Sequence, residues 1–237
     1  MNRAELGRSL SLSVEMIPPG RPNRSGRQIA PTHLTVHNTS NANRGADAKA
    51  HSRFVREKGF YVLPSGKKNH VSWHYTVDDT RVIKHLPVNE RAIHAGNGNG
   101  VSLGIEICMH AGIDQNAANE RAARLIAVLM HDLKITKANI RSHKSWTGKS
   151  CPTLLLSKFD GFCERAAAIC DGLEAPGEEE GSPVTDETTT DGELAQIVAT
   201  RDNPIGEATV EPDHEEPEDE HALIAAEVSA MAEEAED

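Results

Sequence analysis

From residue 33 the chain reads HLTVHNTS, apolar and polar side chains alternating at the period of two that turns one face of a strand towards a core. The period then lengthens. GADAKAHSRFVREKG predicts a helix that stops at Gly59, and PSGKKNH beyond it predicts a loop. VSWHYTVDD and RVIKHLPV are strand-like runs about a short polar turn and predict a hairpin. HAGNGNG is a glycine–asparagine loop whose backbone can come close to a ligand or to another segment. VSLGIEIC, residues 101–108, is mostly apolar, the pattern of a central strand covered on both faces. NAANERAARLIAVLMHDLK sets Leu125, Ile126, Leu129, Met130 and Leu133 on one helical face. PTLLLSKFDGFCERAAAICDG predicts a last helix that opens near Pro152, with Leu155, Phe159, Phe162, Cys163 and Ala166 as core candidates. Strands interleaved with helices through one core predict an α/β fold, a single mixed sheet flanked by helices.

Composition divides the chain. All eight aromatic residues lie between Phe54 and Phe162. From Asp171 onward 23 acidic residues face one basic residue, Arg201, a net of −22, whereas the first 170 residues carry +11; the overall −11 describes neither part. Residues 1–29, rich in Pro, Gly and Arg, predict a loosely packed polar lead-in, residues 30–170 the folded domain, and residues 171–237 an acidic tail. Over 174–220 the tail lacks the apolar surface needed to offset ordering entropy and is expected to be disordered. Residues 221–232, HALIAAEVSAMA, are an exception: Leu223, Ile224, Val228 and Met231 predict a short amphipathic helix, marginal in water without a partner. No apolar run is long enough to span a bilayer. The first residues lack the apolar core of a secretory signal, so synthesis in the cytoplasm is expected. Cys108, Cys151, Cys163 and Cys170 have no disulfide-scaffold spacing and are expected to be buried thiols or ligands.

Ten of the twelve histidines fall in the basic part, where a histidine is more often a loop or surface residue than a ligand. His37 and His143 stand out because each ends an apolar run, where a side chain can point into a cleft beside the sheet. With Cys151 of RSHKSWTGKSCP they would make a set of two imidazoles and a thiolate that zinc accepts, leaving a fourth position for water. The spacing from His143 to Cys151 is not that of a zinc finger, so on the residues alone a metal centre and three unrelated polar residues both stay open. Glu106 interrupts LGIEIC: it either faces solvent or lies in a cleft with a raised pKa, as a general base would. Lys149 is either an ordinary surface lysine or a cation placed to stabilise an oxyanion.

VHNTS, SWHYTVDD, HAGNGNGVSLGIEIC and HKSWTGKSCP, in that order, resemble the zinc-dependent N-acetylmuramoyl-L-alanine amidases, which share a fold with the peptidoglycan recognition proteins. The resemblance covers about residues 30–160 and is closest to the phage endolysin branch of spore-forming bacteria. It implies a peptidoglycan recognition/amidase-like fold, with His37, His143 and Cys151 as Zn2+ ligands, Glu106 in catalysis and Lys149 assisting the tetrahedral intermediate. Some relatives carry tyrosine where this chain has Trp73, so packing or substrate contact is expected of Trp73. His94 and Asn97 are expected as substrate contacts.

The implied reaction is hydrolysis of the amide between N-acetylmuramic acid and L-alanine of the stem peptide. Bacterial peptidoglycan is then the partner, and a basic domain suits an anionic wall. Reaching the wall would call on a holin-type membrane permeabiliser, and a monomer is expected. A non-catalytic peptidoglycan-binding module is the alternative; the presence of Cys151 argues against it. A nucleic-acid-binding domain has only the +11 charge behind it, so no nucleic acid partner is expected.

Overall fold

Leu103, Ile105 and Ile107 of the central apolar run lie in one buried cluster with Leu34 and Val36, because alternate side chains of neighbouring strands share a face. The computed structural model describes residues 2–173 and 220–233. Its elements in chain order begin with helix α1 (Arg3–Arg8), strands β1 (Leu12–Val14) and β2 (His33–Asn38), and helix α2 (Ala48–Arg53), which runs into a π-helical turn at Phe54–Lys58. Strands β3 (Phe60–Val62), β4 (Lys68–His70), β5 (Tyr75–Val77) and β6 (Val82–Lys84) follow, then a 3-10 turn at Gly96–Gly100 and strand β7 (Ser102–Ile107). Helix α3 (Gln115–Leu133), strand β8 (Ile140–Ser142), and helices α4 (His143–Thr147), α5 (Phe159–Asp171) and α6 (Glu220–Glu233) complete the described residues.

The main sheet has the order β1-β6-β5-β7-β2-β8. Only β5 and β6 pair antiparallel in it; the other pairs are parallel, so the sheet is mixed. Strand β7 is central, as its apolar pattern predicts. One face carries α3, whose buried Leu125, Ile126, Leu129 and Met130 join the cluster of Leu34, Val36, Leu103, Ile105 and Ile107. Asp114 caps α3 by accepting N–H bonds from Asn116 and Ala117, both 3.0 Å. The opposite face carries the polar side chains of β2 and β7, and with them the candidate site. A second cluster, Phe54, Val55, Tyr61, Leu63 and Trp73 among its members, includes Ile224 and Val228 of α6. Burying each of those two side chains contributes roughly 1.5–3 kcal/mol.

Three expectations need correction. The lead-in 1–29 is not loosely packed: Leu6 and Leu10 are buried in the main core, and β1 pairs parallel with β6 as an edge strand. Arg121 of α3 holds the segment by donating to the Ser9 and Leu10 carbonyls at 2.9 and 3.0 Å. The stretch 64–70 is a loop only in part, since Lys68–His70 pairs antiparallel with Phe60–Val62. The last helix opens at Phe159, after a 3-10 turn at Leu156–Lys158, well beyond Pro152. The disorder expected over 174–220 falls, residue 220 apart, outside the described residues.

Two buried histidines are held neutral by their partners. His74 donates from Nε2 to the Glu90 carbonyl (2.9 Å) and accepts the Gly104 N–H at Nδ1 (3.0 Å). His85 donates from Nδ1 to the Glu15 carbonyl (3.3 Å) and accepts the Thr76 hydroxyl at Nε2 (2.8 Å). Thr76 in turn accepts the Trp73 indole N–H at 2.7 Å. A second proton would set donor against donor, and burial lowers the two pKa values to about 4 and about 3. Below the unfolded value of 6.5 the unfolded chain therefore binds protons that the fold refuses. Stability falls as pH drops from 6.5 towards 4, by about 1.4 kcal/mol per unit for each histidine. Urea midpoints measured from pH 7 to pH 5 should fall steadily, and His85→Gln should flatten the slope; a midpoint independent of pH over that range would refute the account.

Candidate active site

Parallel pairing of β2 with β7 sets His37 opposite Glu106, with both side chains on the face away from α3. On the other side β8 runs parallel to β2 in the register Val36 to Ser142, so the chain leaves β8 with His143 beside His37. The two rings have centroids 4.5 Å apart at 58°. Segment 148–154 then returns to the end of β2. Lys144 N–H donates to the Cys151 carbonyl at 2.9 Å, and Asn38 Oδ1 accepts the Leu154 N–H at 3.0 Å.

These ties bring His37, His143 and Cys151 together, with their ligand atoms within 4.8 Å of one another and all three residues buried. Cys151 Sγ lies 3.8 Å from His37 Nδ1. Burial, helped by the charge of Glu106, pushes the Cys151 thiol well above the usual thiol range. A buried thiol of this kind becomes a thiolate readily only beside a cation, and two imidazoles with one thiolate are donors that a borderline-soft divalent ion takes. The set fits a metal site.

His94 supports the ring of His37: its Nδ1 lies 3.0 Å from His37 Nε2. Gly104 makes room for it, since a Cβ at that position would stand 2.8 Å from the His94 ring. Asn99 fixes the loop by accepting the backbone N–H groups of His94 and Ala95 at 2.8 and 2.7 Å. Asn97, the loop asparagine singled out in the sequence, is exposed instead. Asn99 is one residue that sequence reasoning missed. Its signal is positional: an asparagine a few residues past a histidine can satisfy the loop's own N–H groups.

Glu106 is 6% exposed, with Oε1 3.8 Å from His37 Nδ1 and no hydrogen-bond partner for Oε2 among the described residues. Burial raises its pKa to about 8; the charge of Glu220 adds to the rise and Lys149 opposes it. Lys149 Nζ is 2.5 Å from Glu220 Oε2. Glu220 was also missed, and nothing in the sequence separates it from the other acidic residues of its segment. Trp73 is buried against Phe54, with ring centroids 6.3 Å apart, and its N–H is taken by Thr76. Its place is in the second core cluster. The structure thus gathers His37, His94, Glu106, His143, Lys149 and Cys151, and leaves Trp73 and Asn97 out of the group.

A buried carboxyl group, a lysine ammonium and three side chains that could hold a metal ion thus stand side by side, the kind of group from which hydrolytic sites are built. Comparison with known proteins agrees. The profile of the N-acetylmuramoyl-L-alanine amidase family matches residues 26–154. The N-acetylmuramoyl-L-alanine amidase XlyA of Bacillus subtilis (strain 168) is 44% identical over 157 residues, which cover 65% of this chain and 50% of that protein. CwlH, an N-acetylmuramoyl-L-alanine amidase of the same strain, is 40% identical over 158 residues, 65% of this chain and 60% of CwlH. The chain thus spans about half the length of the curated relatives it matches. Among solved structures, the catalytic domain of XlyA superimposes with a TM-score of 0.59 at 42% identity, covering 65% of this chain and 98% of that domain. A mutant endolysin from Bacillus subtilis gives 0.61 at 41%, covering 66% and 99%. By its sequence profile and its fold together, the chain belongs to the N-acetylmuramoyl-L-alanine amidase family.

Proposed function

We propose that this chain is a zinc-dependent peptidoglycan hydrolase that cleaves the amide between the lactyl group of N-acetylmuramic acid and L-alanine of the stem peptide. The observation that carries the reading is the meeting of His37, His143 and Cys151 beside Glu106 and Lys149. Zinc held by that triad would supply Lewis acidity, lowering the pKa of a water towards about 7 and polarising a carbonyl.

The chain's own residues account for the proton and charge movements. Glu106, whose carboxylate form is favoured by the Lys149 ammonium and would be by a cation at the triad, accepts a proton from the attacking water as the new C–O bond forms. It then hands that proton to the amide nitrogen as the C–N bond breaks, leaving a carboxylic acid and a free L-alanine amine. Lys149 offsets the negative charge that gathers on the carbonyl oxygen. With His37 Nδ1 turned towards Cys151, its Nε2–H donates to His94 Nδ1, which fixes tautomer and ring orientation. His94 is therefore a positioning residue in this scheme.

The +11 charge of the first 170 residues suits the anionic wall as substrate. No described helix is long and apolar enough to cross a membrane; we assign passage to the wall to a holin-type permeabiliser, and take the active unit as a monomer. A non-catalytic wall-binding module would have no use for the cysteine donor and the buried acid.

Purified protein incubated with peptidoglycan should release stem peptides bearing a free L-alanine amine, seen by mass spectrometry. Chelator should abolish the release and added zinc should restore it. Intact peptidoglycan from several wall types, treated with zinc-loaded protein, would point to the binding module instead. Glu106→Gln should keep its zinc and lose about 10²–10⁴-fold in turnover; near-normal rates would remove Glu106 from the mechanism. Cys151→Ser should lose zinc to chelator dialysis that the parent protein withstands, and equal retention would sink the ligand assignment.

A further inference from the structure

The candidate site is met by a helix from later in the same chain. Helix α6 lies across α2, the π-helical turn and β3, with Ile224 and Val228 buried in the second core cluster and Leu223 and Met231 at its edge. Polar groups fix the docking from several sides. Asn41 donates to the Ala225 carbonyl (3.3 Å), Asn43 to the Ser229 hydroxyl (2.7 Å) and Arg53 to the Met231 carbonyl (3.1 Å). Lys58 forms an ion pair with Glu227. At the first residue of the helix, the Glu220 side chain is 4% exposed and its carboxylate meets the Lys149 ammonium.

Three features of this contact bear on the reaction. Lys149, which the scheme above gives to the substrate's developing oxyanion, already holds a carboxylate, and its side chain is only 11% exposed. The Asn41 and Asn43 contacts lie just past the end of β2, a few residues from His37, so the helix is held close to the candidate site. A helix of 14 residues is marginal alone in water, so its order comes from the docked state.

We propose that α6 is a tethered competitor of the substrate, with Glu220 standing in at Lys149 for the anionic oxygen that the muramoyl amide develops there. The proposal rests on the amidase reading. It makes the released form the competent one and the docked form closed. A ligand that binds only the competent form has its apparent affinity reduced by the fraction of time that form is populated, so a helix docked about nine-tenths of the time raises the apparent KM about tenfold and leaves kcat alone.

The test uses the full chain loaded with zinc and a soluble N-acetylmuramoyl dipeptide as substrate. Glu227→Lys sets two cations against each other away from the cleft, and Glu220→Gln removes the charge at Lys149. Both should lower KM several-fold with kcat unchanged. The double variant Lys58→Glu/Glu227→Lys restores an ion pair of reversed polarity and should return KM towards the parent value. In the parent protein, saturating dipeptide should speed amide hydrogen exchange in 220–233. Turnover with the same KM in every variant, or exchange in α6 that ignores bound dipeptide, would overturn the competitor and leave the amidase reading standing. Parent and variants that neither bind the dipeptide nor cleave peptidoglycan would overturn both.

Discussion

The parallel pairing of β2 with β7 is the constraint on which the site depends. It places His37 level with Glu106 and also decides which side chains of β2 enter the core. A slip of one residue would turn His37 into the cluster with α3 and bring Val36 to the cleft, because successive side chains of a strand face opposite ways. Leu34 and Val36 against Leu103, Ile105 and Ile107 hold the register by burial, so the apolar face is the device that aligns the polar one.

The polar face is costly to bury, and its groups meet the cost in different ways. His74 and His85 have a partner at each ring nitrogen and stay neutral. Glu106 has no such set of partners, and its acid form is the one that burial favours. Cys151 is likewise held as a thiol by its surroundings. Satisfied imidazoles thus make a rigid wall, while the acid and the thiol remain groups whose ionisation depends on what enters the cleft.

Period-two and helical patterns made β2, β7 and α3 legible in the sequence, because each buries a continuous apolar face. His37, Glu106, His143, Lys149 and Cys151, to which the proposal gives chemical roles, were singled out through order and resemblance, and the structure brings them together. The rest lay in features that pattern does not encode. Strand β1 is three residues long with two of them exposed, so only its pairing with β6 defines it. Asn97 and Asn99 are equivalent in GNGNG until the loop is folded, when one accepts two N–H groups and the other faces solvent. Glu220 depends on a contact across 71 positions of sequence, which no local signal carries.

The order of strands has a consequence for how the chain matures. Both neighbours of β2 come later in the chain, β7 at 102–107 and β8 at 140–142, so β2 emerges from synthesis with both edges unpaired. Contacts so distant in sequence close slowly, since loop entropy must be overcome before they form. Cys151 lies beyond all of these strands, so of His37, His143 and Cys151 the thiol is the last to leave the ribosome. The group of three is complete only where the 148–154 segment lies back over the end of β2, so it depends on a return of the chain that neither histidine can make for itself.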